Sequence, residues 1–274
     1  MWWRYVIFRV PFAILAKTKK YNLKVNGVEN VPEYGPFIVV ANHQTSADIV
    51  AIALALKPAL KHCQMWPWAK VEIREGKEGI LGKLLWKIFG VIPIDRESAH
   101  SEDAVKPSLK RLQKGEIVCV FPEGTRRKHR QLGHFKYGVA NLARAAPAPL
   151  LPVAVYKREE DGGIQVNIGK LFFMPPKRKR YETLEAIEEK LDERVSHQID
   201  ALKQWSAELP KDKKGMKMIA SMINMIADRL SKQEVSFDKF CRMAEEEDNE
   251  YIRNKVFELL PEGWKKTEVP KEET

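Results

Sequence analysis

Three almost wholly apolar runs constrain this chain more than anything else in it: FIVVA at 37–41, EIVCVF at 116–121 and LLPVAV at 150–155. A strand with one face in water alternates apolar and polar residues. Runs without alternation are buried on both faces, which is the habit of strands in parallel sheets. Helical stretches separate them, at 46–56 (SADIVAIALAL, stopped by Pro58), 78–89, 101–114 and about 138–145, with a shorter apolar run at 91–94. This alternation predicts an α/β fold whose mixed, mainly parallel sheet is flanked by helices on both sides. Leu23 and Val25 make a short strand ended by Gly27, and IQVNI at 164–168 makes a late one. At 274 residues, with 44% apolar content, the chain suffices for one such domain plus appendages.

The appendages lie at both ends. In residues 2–15 (WWRYVIFRVPFAIL), Trp3, Val6, Ile7, Val10 and Ile14 recur at helical spacing, and Lys17, Lys19 and Lys20 follow. The stretch is shorter than the ~20 residues that span a bilayer. Arg4, Arg9 and Pro11 interrupt it, and no cleavage site follows. Aromatics beside cations suit a helix lying among lipid headgroups, the alternative being a helix packed on the protein's own core. Residues 1–20 are thus expected to form an amphipathic membrane-associated helix, 21–205 the α/β domain, and 211–274 a C-terminal helical extension. A proline-containing basic linker (MPPKRKR, 174–180) precedes a charged helix at 182–205, and Pro210 with KDKKG marks the second boundary. Met216, Met218, Met222 and Met225 read as a core stripe of the extension, the alternative being a ligand groove, and its last residues, KKTEVPKEET, as a disordered tail.

A formal net charge of +10 favours anionic partners: nucleic acid, anionic lipid, or acidic carriers and nucleotides. The sequence has neither aromatics set in a basic run nor zinc-finger spacing, which argues against nucleic acid. Cys63, Cys119 and Cys241 are far apart, odd in number and without a C-x-x-C pair, so they read as unpaired thiols in a reducing compartment.

Two short segments carry chemistry. In NHQTSAD (42–48), His43 stands five positions before Asp48. On one continuous helix the two side chains would point about 140° apart. They meet only if His43 occupies the turn between strand 37–41 and the next helix, where open α/β sheets hold their sites. Asp48 could then orient the imidazole and leave its second nitrogen as a base. Thr45-Ser-Ala-Asp48 also fits a capping box, in which Asp48 holds backbone N–H groups. Both readings stand, and they are compatible. In FPEGTR (121–126), Pro122-Glu123-Gly124 makes a turn at another strand end, followed by Thr125, Arg126 and Arg127. It reads either as an ordinary exposed turn or as an anion site, since arginine forks phosphate and glycine admits a ligand to the backbone. No G-K-[ST] follows, which disfavours a kinase or nucleotidase.

In ordered combination these segments resemble the bacterial 1-acylglycerol-3-phosphate O-acyltransferase family, of the phospholipid/glycerol acyltransferase superfamily. Its N-H-x4-D motif is matched by Asn42, His43 and Asp48, and its F-P-E-G-T-R motif by residues 121–126. A G-x-I-P-x-D-R segment is matched at Gly90, Ile92, Pro93, Asp95 and Arg96, and an apolar P-V-A at Pro152, Val153 and Ala154. Ala69-Lys70 resembles the family's lysine segment, and Gly133, Phe135, Lys136 and Gly138 the stretch after its third motif.

The resemblance implies that His43 and Asp48 are catalytic, His43 taking the proton of an acceptor hydroxyl that attacks an acyl thioester. It implies that Lys70, Arg96, Glu123, Gly124, Thr125 and Arg126 hold the acceptor, with Arg126 and Lys70 on its phosphate. The implied partners are lysophosphatidic acid, acyl-CoA or acyl-acyl-carrier-protein, and an anionic membrane surface at the cytoplasmic face, bound monotopically or peripherally; nucleic acid is not among them. No metal or other cofactor is implied. Ala47 stands where relatives often carry a larger residue, so a wider pocket for another lysolipid stays open. The familiar two-helix membrane motif is here one short helix at most. A rival of a different class, a non-catalytic lipid-binding scaffold, is opposed by the complete His43–Asp48 pair and by Glu123 with Arg126.

Overall fold

In the computed structural model, which describes residues 22–70, 90–94, 102–127, 130–136, 138–146, 148–174, 201–202, 212–232 and 246–267, the three apolar runs lie side by side. In chain order the elements are β1 (Lys24–Asn26), β2 (Phe37–Ala41), α1 (Asp48–Ala55), α2 (Lys57–Leu60), β3 (Met65–Lys70), β4 (Ile92–Ile94), α3 (Glu102–Leu112) and β5 (Ile117–Val120). They continue with β6 (Gln131–Leu132), α4 (Gly138–Ala145), β7 (Leu150–Lys157), β8 (Ile164–Ile168), α5 (Lys213–Ser231), α6 (Glu246–Phe257) and β9 (Lys265–Lys266).

The main sheet runs β1-β8-β7-β2-β5-β3-β4. Each neighbouring pair is parallel except β7 and β8. All five residues of β2 are fully buried, because β5 and β7 flank it edge to edge and apolar layers cover both faces. Ile38 stands in register with Val118 on one side and Leu150 on the other. The carboxyl ends of β2, β5, β3 and β4 therefore open toward the same edge of the sheet.

Several expectations need correction. Pro58 does not simply stop a helix: it occupies the first turn of α2, where the missing N–H costs nothing. Strand β3 is an addition to the expected strands, and it holds Pro67 between two tryptophans, a residue that seldom sits inside a strand. The strand survives because it changes partner at that point: Met65–Pro67 pairs with β5 and Trp68–Lys70 with β4. In α5 the buried stripe is Met216, Ile219, Ile223 and Ile226, whereas Met218 and Met225 are exposed. The tail is ordered for longer than its charge implies, since Lys265 and Lys266 pair with Gln131 and Leu132. The N-terminal helix, the helix at 78–89, Arg96 and most of the helix at 182–205 lie outside the described residues. Among those described, no helix is long and apolar enough to cross a membrane.

The segment 246–267 folds back onto the sheet. Arg144 of α4 grips Asp248 of α6 through two bonds, Nε to Oδ2 at 2.8 Å and Nη2 to Oδ1 at 2.6 Å. Asn167 of β8 donates to the carbonyl of Leu259 at 2.8 Å, and the Trp264 ring meets Tyr156 edge-on.

Candidate active site

The chain leaves β2 through Asn42, an amide with 1% exposure. Its Nδ2 donates to the Val155 carbonyl at 2.8 Å and its Oδ1 accepts from the Val155 N–H at 2.7 Å. This side chain continues the β2–β7 ladder by one step and fixes where the turn begins. His43 sits in that turn and Asp48 opens α1, the placement that the five-residue spacing requires.

The His43 Nδ1 stands 2.9 Å from Asp48 Oδ2. The same oxygen accepts the N–H groups of Gln44 at 2.6 Å and Thr45 at 2.8 Å, while Oδ1 accepts the Thr45 hydroxyl at 2.7 Å. Asp48 thus reaches back to Thr45 as in a capping box and holds the imidazole as well; neither bond excludes the other. A carboxylate that only accepts assigns the proton to Nδ1 and leaves Nε2 with its lone pair. Among the described residues nothing hydrogen-bonds Nε2. The His43 ring also stacks on Phe121 with centroids 4.3 Å apart, which fixes its plane. Side-chain exposure is 17% for His43 and 3% for Asp48, so the ring reaches the surface while its partner does not.

The second turn is stitched to the first. The Arg127 N–H donates to the His43 carbonyl at 2.8 Å. The His43 N–H donates to Glu123 Oε1 at 2.8 Å, and the Gly133 N–H to Glu123 Oε2 at 2.9 Å. Both oxygens of Glu123, a residue expected to face the acceptor, thus rest on backbone donors in a site with 3% exposure. Burial pushes its carboxyl up to about 7, against the opposing pull of those two N–H groups and of Arg127 and Arg253. A Cβ on Gly133 would lie 2.7 Å from Glu123 Oε2, so only glycine lets the strut close. Gly124 takes a left-handed φ of 68°, and the stem of Lys136 lies against it. Thr125 and Arg126 form the exposed tip of this turn, beside the His43 turn.

The Acyltransferase family profile matches residues 22–156, the span that contains both turns. The 1-acyl-sn-glycerol-3-phosphate acyltransferase of Bacillus subtilis is 31% identical over 149 residues, which are 54% of this chain and 69% of that enzyme. The chain belongs to the acyltransferase family. The human 1-acyl-sn-glycerol-3-phosphate acyltransferase alpha is 30% identical over 48% of this chain, and the match covers 45% of the human protein. The chloroplastic Arabidopsis thaliana enzyme of that name is 31% identical, and the match covers 36% of its length. The chain thus spans over two thirds of the Bacillus relative and less than half of the plant and animal ones. A crystal structure of the 1-acyl-sn-glycerophosphate acyltransferase of Thermotoga maritima aligns with 68% of this chain and 71% of its own, at 24% identity and a TM-score of 0.44.

Two residues that the family's motifs single out are only partly located. Lys70 is the last residue of β3, so its backbone stands at the same sheet edge as the two turns. Arg96 lies just past β4, outside the described residues. Among the described residues no group of three His, Cys, Asp or Glu side chains could hold a metal ion. Sequence reasoning gave no role to Asn42, Phe121 or the Gly133 N–H. Asn42 had a readable signal, a lone amide closing an apolar strand. The Gly133 strut had none, because its donor is backbone.

Proposed function

We propose that this acyltransferase moves a fatty acyl group from an acyl thioester to the free hydroxyl of 1-acylglycerol-3-phosphate, giving phosphatidic acid. The observation that carries the proposal is the 2.9 Å contact between His43 Nδ1 and buried Asp48, next to a turn tipped by Arg126. The names of the relatives supply the acceptor and agree with that chemistry.

In this mechanism His43 Nε2 takes the proton of the acceptor hydroxyl as its oxygen attacks the thioester carbonyl. The tetrahedral intermediate collapses by breaking the C–S bond. The imidazolium returns the proton to the departing thiolate, so one ester and one thiol form. Asp48 keeps the ring in the tautomer that presents Nε2 and stabilises the transient cation. Arg126 and Lys70 receive the acceptor's phosphate, a group that a guanidinium fork suits, and Arg96, Gly124 and Thr125 hold the acceptor beside it. Glu123, both oxygens engaged, holds the His43 turn in place instead of touching the acceptor. The donor is acyl-CoA or acyl-acyl-carrier-protein, and no metal or further cofactor takes part. The basic chain works at the cytoplasmic face of an anionic membrane, anchored by residues 1–20.

The test is thiol release from acyl-CoA and from acyl-acyl-carrier-protein, with and without lysophosphatidic acid, and with a panel of other lysolipids as acceptors. Release that depends on lysophosphatidic acid and yields phosphatidic acid is the expected result. Release only with a different lysolipid would reassign the acceptor, and no release with any pair would leave a lipid-binding scaffold.

A further inference from the structure

Beyond the span matched by the family, one side chain reaches into the machinery around His43. Arg253 of α6 has 3% exposure. Its Nη2 donates to the carbonyl of Leu132 at 2.8 Å and to that of Thr267 at 2.7 Å, and its Nη1 meets Glu250 at 3.0 Å. Thr267 adds its own N–H to the Leu132 carbonyl at 3.0 Å, and Lys265 donates to the Arg130 carbonyl at 3.0 Å.

The Leu132 carbonyl and the Gly133 N–H belong to a single peptide group. That group is planar and trans, so gripping its carbonyl fixes the direction of its N–H on the opposite side. This N–H is the one that holds Glu123 Oε2, while Oε1 holds the backbone N–H of His43. A cation on the carbonyl also polarises the amide and strengthens its donor end. An unbroken line of hydrogen bonds therefore runs from the Arg253 guanidinium through the 132–133 peptide and Glu123 to the residue that carries the imidazole.

We propose that Arg253 is a positioning residue for acyl transfer: from the C-terminal segment it sets the Leu132–Gly133 peptide, and through Glu123 it sets the His43 turn. The catalytic part of this inference rests on the acyl-transfer reading above; the structural part does not. It gives residues 246–267 a purpose, that of a brace which completes the site from outside the family's matched span.

The test uses the full chain as wild type, Arg253→Met, Arg253→Lys, Glu123→Gln and the double variant Glu123→Gln/Arg253→Met, each checked by melting. Misplacing a reacting group by about 1 Å can cost about a hundredfold in rate. Arg253→Met is accordingly expected to lower kcat by roughly ten- to a hundredfold, with KM for lysophosphatidic acid moving much less. Arg253→Lys, which keeps a cation but not the fork, is expected to recover part of the loss. In the Glu123→Gln background the same Arg253→Met change should cost less than about threefold more, because the line is already cut. Hydrogen exchange supplies a readout that needs no activity. Both 42–48 and 130–136 should exchange about tenfold faster in the Arg253 variants than in wild type.

An unchanged kcat in folded Arg253→Met, or equal losses in the two Glu123 backgrounds, would overturn the proposal. So would faster exchange confined to 246–267. If Arg253→Met does not fold, Arg253→Lys carries the same comparisons. Wild type with no acyl transfer would sink the acyl-transfer reading instead, and exchange would still decide the structural link.

Discussion

The turns that follow β2 and β5 stand side by side, yet they are held in opposite ways. Within the turn at 42–48 the Asp48 carboxylate closes a local loop, taking its side-chain hydrogen bonds from residues 43–45, while Asn42 and the His43 backbone tie the turn outward to Val155, Glu123 and Arg127. The loop at 121–136 is held from afar, by Arg253, Lys265 and Thr267. Local bonds form at small cost in chain entropy and depend on little else, whereas contacts across a long loop must first overcome its closure. The imidazole–carboxylate pairing is therefore written in seven consecutive residues, although the turn that carries it also rests on Glu123. The second turn is a contract between distant parts, and a change far away can alter it.

Substitutions can break or sharpen that contrast. His43→Ala removes the base and should cut turnover by about 10²–10⁴-fold or more, with melting little changed. Near-full turnover would exclude the base role. Asp48→Asn puts an amide among four donors, so it should slow turnover by about 10²-fold or more and lower stability by about 1–3 kcal/mol. Full activity with the amide would mean that the turn needs no carboxylate. Arg126→Ala, at the exposed tip of the loop, should raise KM for the phosphorylated acceptor about tenfold and leave kcat nearly alone, the loss of one charge-assisted contact. Equal losses with a phosphate-free acceptor would rule out a phosphate clamp.

The smallest effect is on stability. The Glu123 carboxyl, ordinarily near 4.5, is pushed up to about 7 by burial. Between those values the folded chain keeps a proton that the unfolded chain has released. This group's contribution is thus fully present below about 4.5 and is lost as pH rises through about 7. Melting of wild type relative to Glu123→Gln should decline by a few degrees from pH 5 to pH 7.5 and level off above. A difference independent of pH would mean that Glu123 is ionised throughout.

The same contrast decides what the sequence could disclose. The strands at 37–41, 117–120 and 150–157 are legible because burial on both faces leaves short, β-branched apolar runs bounded by turns and helices. His43 and Asp48 are legible because their geometry follows from one spacing and one strand-to-helix turn. β3 is not, since its Pro67 is tolerated only by a change of partner that appears in the assembled sheet. Lys265 and Lys266 sit in a charged run without apolar pattern, and they are ordered by backbone pairing near buried Trp264. Glu123 carries a motif but not its partners, and Arg253 carries no motif at all. Side chains that act on peptide groups leave no mark on the residues they hold.

The bonds that Thr267 gives Leu132 join positions 135 apart in the chain. During synthesis the sheet can assemble as far as β7 while that carbonyl still faces water. At roughly 5–20 residues per second, the ribosome needs on the order of 5–20 s more to deliver the segment that grips it. A nascent chain thus carries the whole imidazole–carboxylate pair well before the loop beside it is set, and the site's chemistry precedes its bracing.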